Sequence, residues 1–137
     1  MGEGLMSAFS KKSEARLNTC HPDLQAVCRK LIKQYDFAVL CGHRDKAEQN
    51  AAFDAGNSRL IYPQSKHNAK PSLAVDIAPY PIDWGNLYRF REMLHRFDAL
   101  ARMMRERGEI ESEFEYGADW ESFKDYPHVE IKGRDAE

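Results

Sequence analysis

Two histidines and two aspartates, His67, Asp76, Asp125 and His128, are of types and settings that could hold a metal ion and activate water. His67 sits in the polar stretch Ser65-Lys66-His67-Asn68-Ala69-Lys70-Pro71-Ser72, ahead of Leu73-Ala74-Val75 and Asp76. That apolar run reads as a buried strand with Asp76 at or near its end. His128 lies far downstream in Asp125-Tyr126-Pro127-His128-Val129-Glu130. If the two segments meet, His67, Asp76 and His128 supply three ligands. Zinc takes nitrogen and oxygen ligands in a tetrahedron, and catalytic sites leave the fourth position to water. Asp125 is then a general base. A carboxylate beside a water whose pKa is lowered to roughly 7 can take its proton and pass it to a leaving amine. Pro127 rules out a helix here, so the base comes from a loop and His128 from the start of a strand. The plainer reading also stands. Lone histidines are usually surface or hydrogen-bonded core residues, as His21, His43 and His95 read, and a histidine followed at a distance by an aspartate is common by chance.

The elements that must position these residues are read from periodicity. Residues 1–22 form a leading segment with at most one helical turn, Ser13-Glu14-Ala15-Arg16-Leu17. Pro22 suits the first turn of a helix running to about Tyr35, with Leu24, Val27, Cys28, Leu31, Ile32 and Tyr35 as its stripe. Phe37-Ala38-Val39-Leu40-Cys41, closed by Gly42, reads as a buried strand. Asp45 caps a helix from about Lys46 to Ala55 that stops at Gly56. Residues 57–70 are a polar loop, and a strand at 73–78 ends before Pro79-Tyr80-Pro81. Trp84 to about Arg107 is the longest predicted helix, with Leu87, Phe90, Leu94, Phe97, Leu100, Ala101 and Met104 on its apolar face. Phe114-Glu115-Tyr116, a turn at Gly117 and a strand around His128–Ile131 follow. This order predicts an α+β fold with a small, mainly antiparallel sheet and flanking helices.

Composition narrows the function. The 137 residues, 42% apolar and 31% charged, suit one globular domain over 1–137. No run of about 18 apolar residues marks a membrane span. The first ten residues carry an early acid and no sustained apolar core, unlike a secretory signal peptide. A substrate outside the cytoplasm would then need a separate carrier. Lys and Arg number 20 against 22 Asp and Glu, a net charge of −2. That balance argues against a nucleic-acid partner, and against a nuclease built on His43 and His67. Cys20, Cys28 and Cys41 include no Cys-x-x-Cys pair. Neither a disulfide framework nor a thiolate zinc site is expected, and Cys28 and Cys41 read as small buried hydrophobes.

The ligands and their flanks together resemble the LAS group of zinc peptidases. The resemblance is greatest to the branch of D-alanyl-D-alanine carboxypeptidases and phage L-alanyl-D-glutamate endopeptidases. That branch carries Ser-x-His, then Ala-x-Asp, then acid-x-x-His; here these are Ser65-Lys66-His67, Ala74-Val75-Asp76 and Asp125-Tyr126-Pro127-His128. The phage type is further resembled by Gly42-His43-Arg44 with Glu48-Gln49-Asn50-Ala51-Ala52-Phe53, by Asp76-Ile77-Ala78-Pro79-Tyr80-Pro81, and by Gly117-Ala118-Asp119-Trp120. The likeness runs from about residue 18 to 131, the expected catalytic core. One departure is the stretch from His67 to Asp76, which carries Pro71-Ser72 and is longer than in many relatives.

The resemblance implies zinc on His67, Asp76 and His128, Asp125 as base, and Arg44 on the oxyanion of the scissile carbonyl. The plainer role for Arg44 is a surface ion pair with Asp45 or Glu48. Gln49 and Ser65 would contact substrate or support the ligands. Glu130 shares a strand face with His128, and either orients it or faces solvent. Trp120 and Tyr126 would line a cleft or fill core. The implied fold is the small α+β domain of hedgehog and D-Ala-D-Ala peptidases. The implied function is a monomeric zinc peptidase of the peptidoglycan stem peptide, an L-alanyl-D-glutamate endopeptidase acting as a phage endolysin. It would be made in the host cytoplasm, released by a separate holin, and act on the cell wall. Two alternatives remain at this point: a D,D-carboxypeptidase with the same centre, and a metal-binding recognition module without catalysis.

Overall fold

A computed structural model describes residues 7–133. Leu24, Val27, Cys28 and Leu31 bury one face of α2, Pro22–Leu31, as their spacing predicts. The helix ends short of Tyr35, which packs against the core from the following turn. α3, Lys46–Asp54, opens on a reciprocal cap between Asp45 and Glu48. Past its end Gly56 takes a φ of +80°, the left-handed conformation that glycine adopts without penalty. α4, Leu87–Glu106, starts later than its apolar pattern suggests. Asn86 caps it, Trp84 lies outside it, and Leu87 in its first turn is 43% exposed rather than buried. Met93, absent from the expected face, is buried with Phe90, Leu94, Phe97, Ala101 and Met104.

The leading segment holds more than a turn. Residues Lys11–Leu17 form α1, capped by Ser10. Ser13 Oγ accepts the N–H of Val39 at 2.9 Å, and Arg16 donates to the Val39 carbonyl at 3.1 Å. α1 therefore satisfies the Val39 backbone on the outer edge of β1, Phe37–Cys41. A helix this short carries too little periodicity to be read with assurance from sequence.

With β2 (Ala74–Pro79), β3 (Phe114–Tyr116) and β4 (His128–Ile131), β1 forms an antiparallel sheet in the order β1-β2-β4-β3. The α+β expectation holds. Val75, Ile77, Val129 and Ile131 enter the core, which also takes the buried faces of α2 and α4. Strand alternation places Asp76, His128 and Glu130 on the other face. A bulge between Val39 and Cys41 alters the parity of β1: Val39 pairs with Ile77, but Cys41 pairs with Asp76. The bulge turns Cys41 toward the face of Asp76.

Candidate active site

Strand pairing and one loop assemble the cluster. Asp76 and His128 are direct partners across β2 and β4, so their side chains share a face. His67 arrives from a short 3-10 turn, Lys66–Asn68, started by Ser65, whose Oγ accepts the His67 N–H at 3.1 Å. Asp76 Oδ1 lies 3.2 Å from His67 Nε2 and 3.3 Å from His128 Nδ1. Ligands about 2.0–2.1 Å from a tetrahedral zinc stand roughly 3.3 Å apart. Those two edges have the length that ion needs; the groups whose ligand atoms all stand together are Cys41–His67–Asp76 and Asp76–Asp125–His128, joined through Asp76.

Hydrogen bonds at the far side of each ring fix which nitrogen is free. His67 Nδ1 faces the Gly42 carbonyl at 2.7 Å and so carries the proton, leaving the Nε2 lone pair for a metal. His128 Nε2 faces Glu130 Oε1 at 2.8 Å, leaving Nδ1 free. Lys66 holds Glu130 in turn at 3.1 Å. Each imidazole thus turns its other nitrogen toward Asp76, the position a metal would share. Burial disfavours charge on both rings, yet the Asp76 carboxylate outweighs it, pushing the His67 pKa up to about 10 and that of His128 above its ordinary value. Burial would raise the pKa of Asp76, but the two histidines hold it well below the usual carboxylate range.

Asp125 comes from the loop before β4, 4.0 Å from His128 Nδ1. Burial and then the nearby Asp76 charge raise its pKa, so it holds a proton more readily than an ordinary aspartate. Gly117 makes this approach possible: a Cβ there would strike the Asp125 backbone. Gly42 is equally confined, since a Cβ would strike Thr19 and Arg16 at the end of α1.

Arg44 is not spent on Asp45 or Glu48, which bond to each other. It donates to Asp76 Oδ2 at 3.3 Å and to Gln49 Oε1 at 3.1 Å. Gln49 is 0% exposed. Its oxygen also accepts from Asn68, and its nitrogen donates to Ser58 Oγ at 3.0 Å and the Leu60 carbonyl at 2.6 Å. No polar atom of Gln49 is left for a substrate; the side chain joins Arg44 to the loop bordering the cleft. Ser65 is buried beneath His67 and also borders that cleft.

A family model, phage L-alanyl-D-glutamate peptidase, matches residues 5–136. The chain belongs to that family. It is 35% identical over 130 residues to the L-alanyl-D-glutamate peptidase of Escherichia phage T5, covering 90% of this chain and 88% of that one. Among solved structures it matches the Serratia marcescens L-Ala D-Glu endopeptidase ChiX with a TM-score of 0.71 at 26% identity, over 96% of this chain and 95% of the other.

The site of this family member opens into a cleft of about 650 Å³, bordered by His67, His128, Asp125, Arg44, Trp120 and Phe123. Trp120 lies against the His128 ring, with centroids 5.1 Å apart. A separate hollow between α4 and β3 is bordered by Asp98 and Tyr116, which bond to each other at 2.8 Å, and includes none of the four cluster residues. Two site features escaped the sequence. Cys41 is half-buried, with Sγ 3.8 Å from His67 Nδ1, and joins His67 and Asp76 in one of the two groups able to hold a metal. Only the bulge, invisible in the residue pattern, brings it there. Asn68, bonded to the Arg44 carbonyl and to Gln49, carried no signal beyond its place beside His67. Cys20 and Cys28 are buried free thiols, and burial pushes the Cys20 pKa up to about 12.

Proposed function

We propose that this chain is a zinc-dependent peptidoglycan peptidase that cuts the L-alanyl-D-glutamate bond of the stem peptide, acting as a phage endolysin. The observation that carries the reading is the convergence of one nitrogen from each of two imidazoles on Asp76, beside Asp125, in a member of this family. Two nitrogens and a carboxylate suit zinc. Held by His67, Asp76 and His128, zinc would supply Lewis acidity and a water acidified to a pKa of about 7. Asp125 takes the proton of the attacking water and delivers it to the leaving D-glutamyl nitrogen. Arg44, fixed by Gln49 and Asp76, offsets negative charge developing on the alanyl carbonyl oxygen. His67 and His128 keep their tautomers through Gly42 and Glu130.

An endopeptidase needs room on both sides of the scissile bond. The cleft beside Trp120 and a hollow of about 330 Å³ beside Trp84 share Arg44, Asn57 and Asp125, which favours that activity over removal of a terminal D-alanine. Asp125 beside the cluster and Arg44 at the same cleft favour catalysis over a purely metal-binding module. Among the described residues no helix is long and apolar enough to cross a membrane. The proposal treats the chain as a single peptidase domain, a monomer made in the host cytoplasm that reaches the cell wall through a separate holin.

The deciding experiment is mass spectrometry of purified sacculi digested with zinc-loaded protein. New amino-terminal D-glutamate is expected. Release of free D-alanine alone would assign the chain as a carboxypeptidase, and no cleavage would refute the peptidase reading.

A further inference from the structure

The groove does not end at the metal cluster. Past Arg44, Asn57 and Asp125 it continues into the hollow walled by Trp84, Leu87, Phe90 and Tyr126. Trp84 is 59% exposed, yet its indole stacks on Phe90, with centroids 5.6 Å apart and planes at 23°. Phe90 is buried, so one face of the indole has fixed support while the side chain stays largely open to solvent. The same short segment exposes Tyr80, Leu87 and Tyr88. Lys124, which also borders the hollow, is held by the carbonyls of Ala118 and Trp120. A cluster of exposed aromatic surface that core formation leaves unused marks an interaction site.

Its chemistry differs from that of the other arm of the groove. There the exposed Arg59 stands with Gln64 and Glu121 among Leu60, Trp120 and Phe123, while Lys66 is paired with Glu130. Arg59 and Gln64 suit the carboxylates and amide edges of the peptide beyond D-glutamate. The Trp84 arm suits a neutral ring with one C–H face to lay on an aromatic plane and hydroxyls at its rim, which is a pyranose. The substrate proposed above brings such a ring to that place. Its L-alanine is joined through the lactyl group to muramic acid, so a sugar lies one residue from the bond that is cut.

We propose that the Trp84 surface docks the glycan strand, receiving the muramoyl sugar whose stem peptide enters the site. The inference rests on the stem-peptide reading and adds an orientation: glycan toward Trp84, D-glutamate toward Arg59. The chain has two tryptophans, so Trp120→Phe leaves Trp84 as the sole indole reporter. Titrating that variant with peptide-free glycan strands should give a saturable change in indole emission; no change would overturn the proposal. This readout needs no hydrolysis, so it decides docking even if the peptidase reading fails.

In the full chain loaded with zinc, kcat/KM is compared for a disaccharide-bearing stem peptide and the free peptide. Trp84→Ala should lower the ratio of the two about five- to tenfold, and Trp84→Phe should keep most of it. An unaltered ratio, including an equal loss on both substrates, counts against glycan docking. Sedimentation offers a further check. Self-association of the wild type that Trp84→Ala abolishes would assign the surface to a second copy of the chain instead.

Discussion

Asp76 and His128 stand opposite each other on β2 and β4, with Oδ1 3.3 Å from Nδ1. The contact depends on sheet register, and a slip by one residue would turn His128 to the core face. Its ring is then set by Glu130 two residues on, which is itself held by Lys66. Glu130→Gln keeps the shape but can present its amide N–H to His128 and lose the tautomer control. Zinc affinity, read by competition with a chromogenic chelator, should weaken about 10–100-fold. An undiminished affinity would show that Glu130 does not set the ring.

Asp125 stands close enough to Asp76 and His128 to share their metal, so its removal tests base against ligand. Asp125→Ala should retain zinc and fold while hydrolysis of sacculi falls about 10²–10⁴-fold. Zinc content by atomic absorption and turnover on the same preparation separate the two effects. Wild-type turnover in the variant would exclude Asp125 as the base.

Gln49 tests whether positioning of Arg44 matters for the reaction. Gln49→Leu removes one hydrogen-bond partner from each of Arg44, Asn68, Ser58 and the Leu60 carbonyl. Loss of such buried bonds should destabilise the fold by about 1–3 kcal/mol in urea melts. Turnover should fall at saturating substrate while zinc content holds. Gln49→Glu keeps the acceptor for Arg44 but not the donor to Leu60, so it should retain more activity than leucine; the reverse order would sink the positioning role.

Away from the site, Asp23 ties the start of α2 to the segment before β3, accepting from Ser112 Oγ at 2.6 Å and from the backbone N–H groups of Ser112 and Glu111. Partial burial would raise its pKa, but these donors lower it below the ordinary value. A carboxyl more acidic in the folded than in the unfolded state adds stability above its unfolded pKa of about 3.9 and loses it as pH falls through the folded value. Asp23→Asn should therefore cost about 1 kcal/mol at pH 7, allowing for solvent screening. The difference between the two proteins should shrink in urea melts as pH falls below about 3.9. A difference that stays constant with pH would rule out this linkage.

Much of the scaffold was legible because it rests on local rules. The stripe of α2, the Asp45 cap and the glycine stop at Gly56 each depend on neighbouring residues alone. The residues gathered at the site were also legible, His67, Asp76 and His128 by chemical type and Arg44 by family likeness. What the sequence concealed is what the tertiary structure imposes. Gln49 looks like any polar helical residue until the loop at Ser58–Leu60 closes over it. Cys41 looks like the end of an apolar strand until the bulge turns it. The long stretch after His67 reads as loose, yet Ser72 is fully buried, with its backbone bonded to Thr19 and His21. Trp84 reads as the start of a helix because hydrophobicity does not distinguish a core face from an exposed docking face.

The strand order carries a consequence for synthesis. β4 is the last strand made among those described, yet it lies between β2 and β3. Until it leaves the ribosome, β3 has no neighbour in the sheet and the cluster lacks His128. A nascent chain that has already formed α1 to α4 still lacks both Asp125 and His128. Hydrolytic competence should therefore arrive late and abruptly during translation, so that partial products released early are inert toward the wall.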